Sequence, residues 1–367
     1  QTSPVEHIGE AVPMPADGKC PHRLMVANRD NTQCILPHRI DVASHYLFTG
    51  GRGSFKEGSK PLISRMLSFP KFLIEDLSAM SAVSDAIFNN KDYQDAQAVV
   101  CKGHTVIDPF QLGIILQLPG QQVPTHFDAA WFWGASRFSL PQWLLVVMEQ
   151  SKLWEDRRVH QIQGVAYVHN WNTTWGDINK KHGGGFFFFP EGPAGDSIVF
   201  EPRRGSAIMC DGSVMVHGTE PFRRPGAPES PPLMSKDSVT DLRFVGNGTW
   251  HVVSDDKVIA KYLSEDLRMS LVWRSRCFKS EEDKVRFANH PNDLTLDVVL
   301  DTLVEDLRAR GRLGPMDPRP EPMTLAMMLL NEYVRYPLGN GVYPVNVCIA
   351  TEAMPSWLKW ALSPLCG

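Results

Sequence analysis

The sequence predicts a mainly β protein with helices at both ends: an all-β sandwich or barrel behind a short helical stretch and ahead of a helical buttress. Three observations lead there. Between Lys102 and Cys277 the apolar residues come in short or alternating runs parted by Gly and Pro turns, which suits strands. On either side of that stretch they recur at three- and four-residue steps, which suits helices. The composition, 43% hydrophobic and 21% charged, is that of a soluble globular chain, and no apolar run approaches the ~18 residues of a membrane span.

Residues 1–58 are rich in Pro, Gly and polar residues, with Gly50-Gly51-Arg52-Gly53 as a loop signal, and read as an irregular N-terminal segment. Residues 59–110 read as helical support. There Leu62, Ile63, Met66, Leu67, Phe72, Leu73, Leu77, Met80, Val83 and Ile87 imply two helices between Lys60 and Asn90, broken at Pro70. The core, 111–280, takes its strands from 112–118, 143–148, 159–168, 185–189, 197–201, 206–210, 213–217, 250–253, 258–262 and 267–274. An insertion at about 225–262 opens on the loop "PGAPESPP", 225–232, which suggests a mobile lid. In 281–367, a helical extension, Leu296, Val299, Leu300, Leu303 and Leu307 share one helix face with Gly311 as its stop, and Met323 to Val334 forms a second helix.

A net charge of -4 without any basic run lacks the footprint of a nucleic-acid binder. The seven Cys contain no C-x-x-C pair, which disfavours a structural zinc site, and their odd number leaves at least one thiol free. Cys20 with Cys34, or Cys348 with Cys366, would bridge in an oxidising compartment; small buried apolar residues are the alternative. The start at Gln1 suggests a trimmed leader, pro-segment or tag, and the sequons at Asn172 and Asn247 are no more than composition supplies, so no compartment is assigned. Oligomeric state is not legible.

The chemistry begins at "PTHFDAAWFWGASR", where His126 is the only histidine followed two residues later by Asp, here Asp128. About ninety residues on, "CDGSVMVHGTEPF" closes an alternating segment with His217. Two His and a carboxylate on one face of an iron would leave three coordination positions open. Arg268-Met269-Ser270 then offers a guanidinium and a hydroxyl that a strand projects to the same face, suited to a carboxylate.

Together these residues resemble the Fe(II)/2-oxoglutarate-dependent oxygenases, in particular their prolyl-hydroxylase-like branch, over roughly residues 110 to 280. "LPGQQVPTHFD", "VAYVHNW", "GGGFFFFPEG", "VFEPRRGSAIMCDGSVMVHGTEP" and "LRMSLVW" follow that branch's order. The resemblance implies a double-stranded β-helix of jelly-roll, cupin-like type. It implies His126, Asp128 and His217 as iron ligands and Arg268 as the clamp on 2-oxoglutarate, with Tyr167 and Ser270 beside it. Fe(II), 2-oxoglutarate and O2 would be consumed or held there, ascorbate serving as a reductant, and an unactivated C–H bond would be hydroxylated, or its carbon desaturated or closed into a ring, with succinate and CO2 released. Asp128 disfavours halogenation.

Two departures qualify this. Val123 stands where the branch places a tyrosine, which weakens a prolyl-peptide substrate. About fifty residues separate His217 from Arg268, which leaves Arg223 or Arg224 as the alternative clamp. Trp131, Trp133 and Arg137 read as the substrate mouth, with rim packing as the alternative, and the substrate as a small molecule rather than a peptide. Phe186 to Phe189 reads as a strand buried on both faces, Cys210 and Asp211 as turn residues, and His169 and His182 as loop or surface residues. The competing classes are a peptidyl hydroxylase, a non-catalytic jelly-roll binding module and a zinc hydrolase, the last having no use for Arg268.

Overall fold

A computed structural model describes residues 12–18, 20, 26–27, 32–35, 59–74, 81–169, 182–192, 195–223, 230–234, 238–290, 293–334, 355 and 357. Gly50–Gly53, Asn172, Arg224, most of the loop 225–232, and Cys348 with Cys366 lie outside the described residues.

The described residues begin with a small sheet of β1 (Val12–Pro13), β2 (Val26–Ala27) and β3 (Gln33–Ile35), and Cys34 on β3 is bonded to Cys20. Then come α1 (Ser59–Met66), β4 (Phe69–Ile74), α2 (Ser81–Phe88) and α3 (Lys91–Val100). The residues of β4 were expected in a helix. Pro70 has no N–H for a ladder, but β4 is an edge strand against β5 (Val106–Gln117), where a proline is tolerated.

After β5 come β6 (Val123–His126) and β7 (Trp131–Phe132), and then α4 (Gln142–Ser151), which corrects the strand expected at 143–148. Trp143 to Met148 is an unbroken apolar run buried on all sides, and such a run has no periodicity to separate strand from helix. The remaining core strands are β8 (Arg158–Tyr167), β9 (Phe186–Phe188), β10 (Ile198–Phe200), β11 (Ala207–Cys210) and β12 (His217–Thr219). The strand expected over 213–217 survives only at His217, because Asp211 accepts from the backbone and hydroxyl of Ser213 and turns the chain there. Phe186 and Phe187 on β9 are buried, as expected of a strand covered on both faces.

The insertion folds as an antiparallel meander, β13 (Thr240–Gly246), β14 (Thr249–Ser254) and β15 (Lys257–Leu263). Its hairpins turn at Asn247-Gly248 and Asp255-Asp256, all with positive φ, the conformation of two-residue primed turns. Then β16 (Arg268–Phe278) returns to the core, followed by α5 (Glu281–Asn289), α6 (Leu296–Ala309) and α7 (Pro322–Tyr333). The helix α6 is followed by Gly311 at φ +69, the expected stop.

Two antiparallel sheets position the site. One is ordered β11-β8-β16-β5-β4, with β7 on β8; the other is β10-β9-β12-β6. Val165, Val272 and Ile115 of the first pack with Phe186, Phe188 and Phe200 of the second, so the sheets share an apolar layer. The helices form a core of their own: Trp143, Leu144 and Val147 of α4 meet Val299, Leu303 and Leu307 of α6 and Leu325 and Leu329 of α7. A second disulfide, Cys101–Cys277, ties the end of α3 to β16, and Cys210 is free and buried. Among the described residues no helix is long and apolar enough to cross a membrane.

Candidate metal centre

His126 ends β6 and His217 opens β12, and the ladder pairs the two directly, so strand register brings together residues about ninety positions apart. Their ring centroids lie 4.3 Å apart. Asp128 follows β6, and its backbone N–H donates to Gly212 O at 2.8 Å, which aims the carboxylate back at the pair. Its Oδ1 lies 3.7 Å from His126 Nε2 and its Oδ2 3.8 Å from His217 Nε2. One ligand atom from each residue lies within 4.8 Å of the others, and all three residues are buried.

The hydrogen bonds around these residues suit a metal. His126 Nδ1 donates to Pro124 O at 2.7 Å and His217 Nδ1 to Met215 O at 2.8 Å, which fixes both tautomers with the Nε2 lone pair turned inward. Gln163 Nε2 approaches His217 Nε2 at 3.4 Å, which agrees with a lone pair there. Asp128 Oδ1 accepts from Arg274 Nη2 at 2.8 Å, while Oδ2 is buried without a hydrogen-bond partner among the described residues. A buried carboxylate oxygen left unmatched is costly unless something charged meets it. Burial pushes the Asp128 carboxyl upward, but Arg274 and the two imidazoles outweigh it and hold the group well below the usual carboxylate range. A Cβ on Gly212 would stand 2.4 Å from Asp128 Oδ2 and 2.9 Å from His217 Cε1, so only glycine leaves this space open. The residues therefore fit a divalent cation.

The strand β16 supplies the rest. Alternation turns Arg268, Ser270, Val272 and Arg274 to one face, and all four line a cavity with His126, Gln163, Phe186 and His217. Arg268 pairs in register with Gln117 of β5, and Ser270 with Tyr167 of β8. Arg268 is 1% exposed; its Nε donates to Gly184 O at 2.9 Å and its Nη1 to Gln117 Oε1 at 2.6 Å and Ser270 Oγ at 3.3 Å. Its guanidinium carbon lies 5.0 Å from the centre of the Tyr167 ring. Arg268 Nη2, the Tyr167 hydroxyl and Gln117 Nε2 are buried with no hydrogen-bond partner among the described residues. Three unmatched donors in one neighbourhood are what an incoming carboxylate would satisfy. Burial raises the Tyr167 phenol and lowers the Arg268 guanidinium, each being opposed by the other residue's presence.

The structure thus brings His126, Asp128, His217, Arg268, Ser270 and Tyr167 into one neighbourhood. Arg268 lines the cavity holding the histidines, whereas Arg223 is exposed. Trp131 and Arg137 line a second cavity, shared with Asp128 and Arg274. Trp133 lines neither; it packs edge-on against Phe278 and Phe287. His169 corrects the surface reading: it is 1% exposed, with its ring nitrogens on Met269 O and Pro202 O, and burial pushes its pKa down to about 4. His182 is half-buried. Sequence reasoning misses Gln117, Gln163, Gly212 and Arg274, although Arg274 carries a signal in sharing the parity of Arg268.

No protein-family model matches the chain, and no curated protein matches it in sequence. Among solved structures the chain is similar to a Pseudomonas putida prolyl-4-hydroxylase at 12% identity and a TM-score of 0.29, covering 58% of this chain and 73% of that one. It is similar at 9% identity and a TM-score of 0.28 to a Trichoplax adhaerens prolyl hydroxylase in complex with a hypoxia inducible factor peptide fragment, covering 67% and 78%. A third likeness, at 12% identity and a TM-score of 0.27, is to HygX from Streptomyces hygroscopicus with nickel and 2-oxoglutarate bound, covering 58% and 70%. At these TM-scores the likenesses carry no argument, so the functional reading rests on the site.

Proposed function

We propose that this chain is an Fe(II)- and 2-oxoglutarate-dependent dioxygenase built on a double-stranded β-helix, oxidising an unactivated C–H bond of a small organic substrate with release of succinate and CO2. The observation that carries this is the meeting of two buried clusters of opposite character, joined by one cavity that His126 and His217 line from the first and Arg268 from the second. One is the His126, Asp128, His217 set with its unmatched carboxylate oxygen; the other is the donor set Arg268, Tyr167 and Gln117. A metal hydrolase needs the first cluster alone, and a ligand-binding module needs neither in this arrangement.

His126, Asp128 and His217 would hold the iron, which when bound supplies the oxidising power by activating O2 at the expense of the keto acid. The protein's own residues do the rest. Arg274 holds Asp128 by Oδ1, leaving Oδ2 for the metal and keeping the carboxylate ionised. Gln163 Oε1 accepts from Arg274 Nε at 2.5 Å, and Gln111 Oε1 from its Nη1 at 3.1 Å, so the guanidinium is braced from both neighbouring strands. Arg268, Tyr167 and Gln117, all buried, would take the far carboxylate of 2-oxoglutarate, and charge-assisted hydrogen bonds are strongest in such low-dielectric surroundings. Phe186 and Val272 line the same cavity and exclude water from it.

Anaerobic equilibrium dialysis tests this. The wild-type protein should bind about one Fe(II) and then 2-oxoglutarate, and should release succinate under air. His217→Ala should lose metal and succinate release while keeping its circular dichroism, because the fold does not hang on the ion. Metal-independent binding of 2-oxoglutarate, or normal succinate release by His217→Ala, would refute the assignment.

A further inference from the structure

Beside the metal centre lies the second cavity, lined among others by Phe110, Asp128, Trp131, Arg137, Gln161 and Arg274. Its shared residue Asp128 sets it against the reacting end of the site. Three guanidinium groups gather there, and two of them have anions. Arg274 has Asp128 at 2.8 Å, and Arg276, its centre 4.4 Å from that of the Trp131 ring, has Asp108 at 2.5 Å. Arg137 makes no ion pair and no hydrogen bond with a described residue; its guanidinium carbon lies 5.6 Å from the centre of the Phe110 ring and 5.1 Å from that of Phe138.

A cation without an ion-pair partner among the described residues needs a reason in this place. Burial, and the charges of Arg274 and Arg276, press against the Arg137 cation more than the Asp128 carboxylate supports it. The one carboxylate in the cavity wall, Asp128, is already committed to Arg274 and, on the reading above, to the metal. A second cation beside a divalent ion lowers the free energy of the loaded site only when an anion arrives with it. A guanidinium held over aromatic faces keeps its edge, with its paired N–H groups, free for a planar two-oxygen acceptor.

We propose that Arg137 anchors the substrate, and that the substrate is an organic carboxylate whose apolar body lies along Phe110 and Trp131. This rests on the dioxygenase reading and deepens it by naming the substrate's class and the residue that selects it.

The test uses the protein loaded anaerobically with Mn(II) and saturating 2-oxoglutarate, probed with 3-phenylpropionate and its neutral isostere 3-phenylpropionamide. Binding is read by NMR as the relaxation that bound Mn(II) imposes on probe protons, which also reports closeness to the metal. The carboxylate should bind and relax, and the amide should not. Arg137→Gln should weaken the carboxylate on the order of ten- to a hundredfold, as for one charge-assisted contact. Arg137→Lys should recover part of this, with Mn(II) and 2-oxoglutarate affinities unchanged in both variants. Equal binding of the amide, no binding of the carboxylate by the wild-type protein, or undiminished binding by Arg137→Gln overturns the proposal. Failure of the wild-type protein to take up Mn(II) and 2-oxoglutarate is separately visible; it removes the premise, and the proposal falls with it.

Discussion

Tyr167→Phe separates the cost of a ligand contact from the cost of the fold. The Tyr167 ring is fully buried and lies under the Arg268 guanidinium, and phenylalanine keeps both the packing and that stacking. The hydroxyl it removes makes no geometrically well-formed hydrogen bond with a described residue, and the polar group it meets is the Arg268 guanidinium. Its loss gives up that contact but also relieves part of the desolvation cost of a buried hydroxyl, about 1–3 kcal/mol. The variant should therefore melt close to the wild-type temperature. Since burial pushes the phenol upward, Tyr167 is a donor throughout the physiological range, and its contact to a carboxylate would be worth about 1.5–3 kcal/mol, or roughly 10- to 150-fold in affinity. Calorimetric titration of 2-oxoglutarate into the anaerobic Mn(II) protein, with a thermal melt alongside, reads both quantities. Arg268→Leu makes the contrast, since it weakens 2-oxoglutarate similarly but also strands Gly184 O and Gln117 Oε1 and must lower the melting temperature. A Tyr167→Phe protein that binds 2-oxoglutarate as well as wild type, or that loses stability without losing affinity, would show that the hydroxyl serves the fold and not the ligand.

Two further outcomes follow from the geometry. Gly212→Ala puts a methyl 2.4 Å from Asp128 Oδ2, so the carboxylate must swing away; metal affinity by equilibrium dialysis should fall roughly ten- to a hundredfold with the circular dichroism unchanged, and undiminished affinity would mean that Asp128 is not a ligand. His160 is pushed down to about 4 by burial and by Arg158, whose Nη1 donates to its Nδ1 at 2.9 Å; because the unfolded chain takes up this proton near pH 6.5, the stabilisation is present above that pH and is lost as the pH falls toward 4. Urea midpoints measured from pH 7.5 to 4.5 should therefore drop less for His160→Gln than for wild type, and parallel curves would refute the assignment.

What the sequence makes legible is whatever depends on spacing within one strand. His126 and Asp128 sit two apart beside a strand end, and Arg268 and Ser270 share a face because side chains alternate. The same rule extends to Arg274, but its role as the brace of Asp128 appears only once Gln111 and Gln163 are seen to flank it from β5 and β8. Gln117 is hidden for the same reason, since only the pairing of β5 with β16 sets it opposite Arg268. Where periodicity fails, the reading fails with it. Trp143 to Met148 has no polar face, and in β4 the apolar spacing mimics a helix while Pro70 is tolerated because the strand is an edge. The bridge Cys101–Cys277 spans 176 residues and follows from topology alone.

The long connection between His217 and Arg268 shows how far register overrides chain distance. As a sequence it points to Arg268, about fifty residues away, but leaves Arg223 or Arg224, six and seven residues beyond His217, as the alternative. In the fold the intervening residues include a meander, β13 to β15, whose strands pair with one another and with neither core sheet. The meander therefore adds length without displacing β16, which still enters the larger sheet between β8 and β5. Because β16 pairs with both, Arg268 meets Gln117 on one side while Ser270 meets Tyr167 on the other, and a slip of a single residue would turn all of β16's cavity-facing side chains to the opposite face. The position of Arg268 is thus fixed by two ladders at once, which makes it insensitive to what is inserted before it. Lengthening the meander at its turns, Asn247-Gly248 or Asp255-Asp256, is a change the site should tolerate, because the residues it packs against the core, Leu242, Val252 and Tyr262, stay in place, whereas a one-residue deletion within β16 is not.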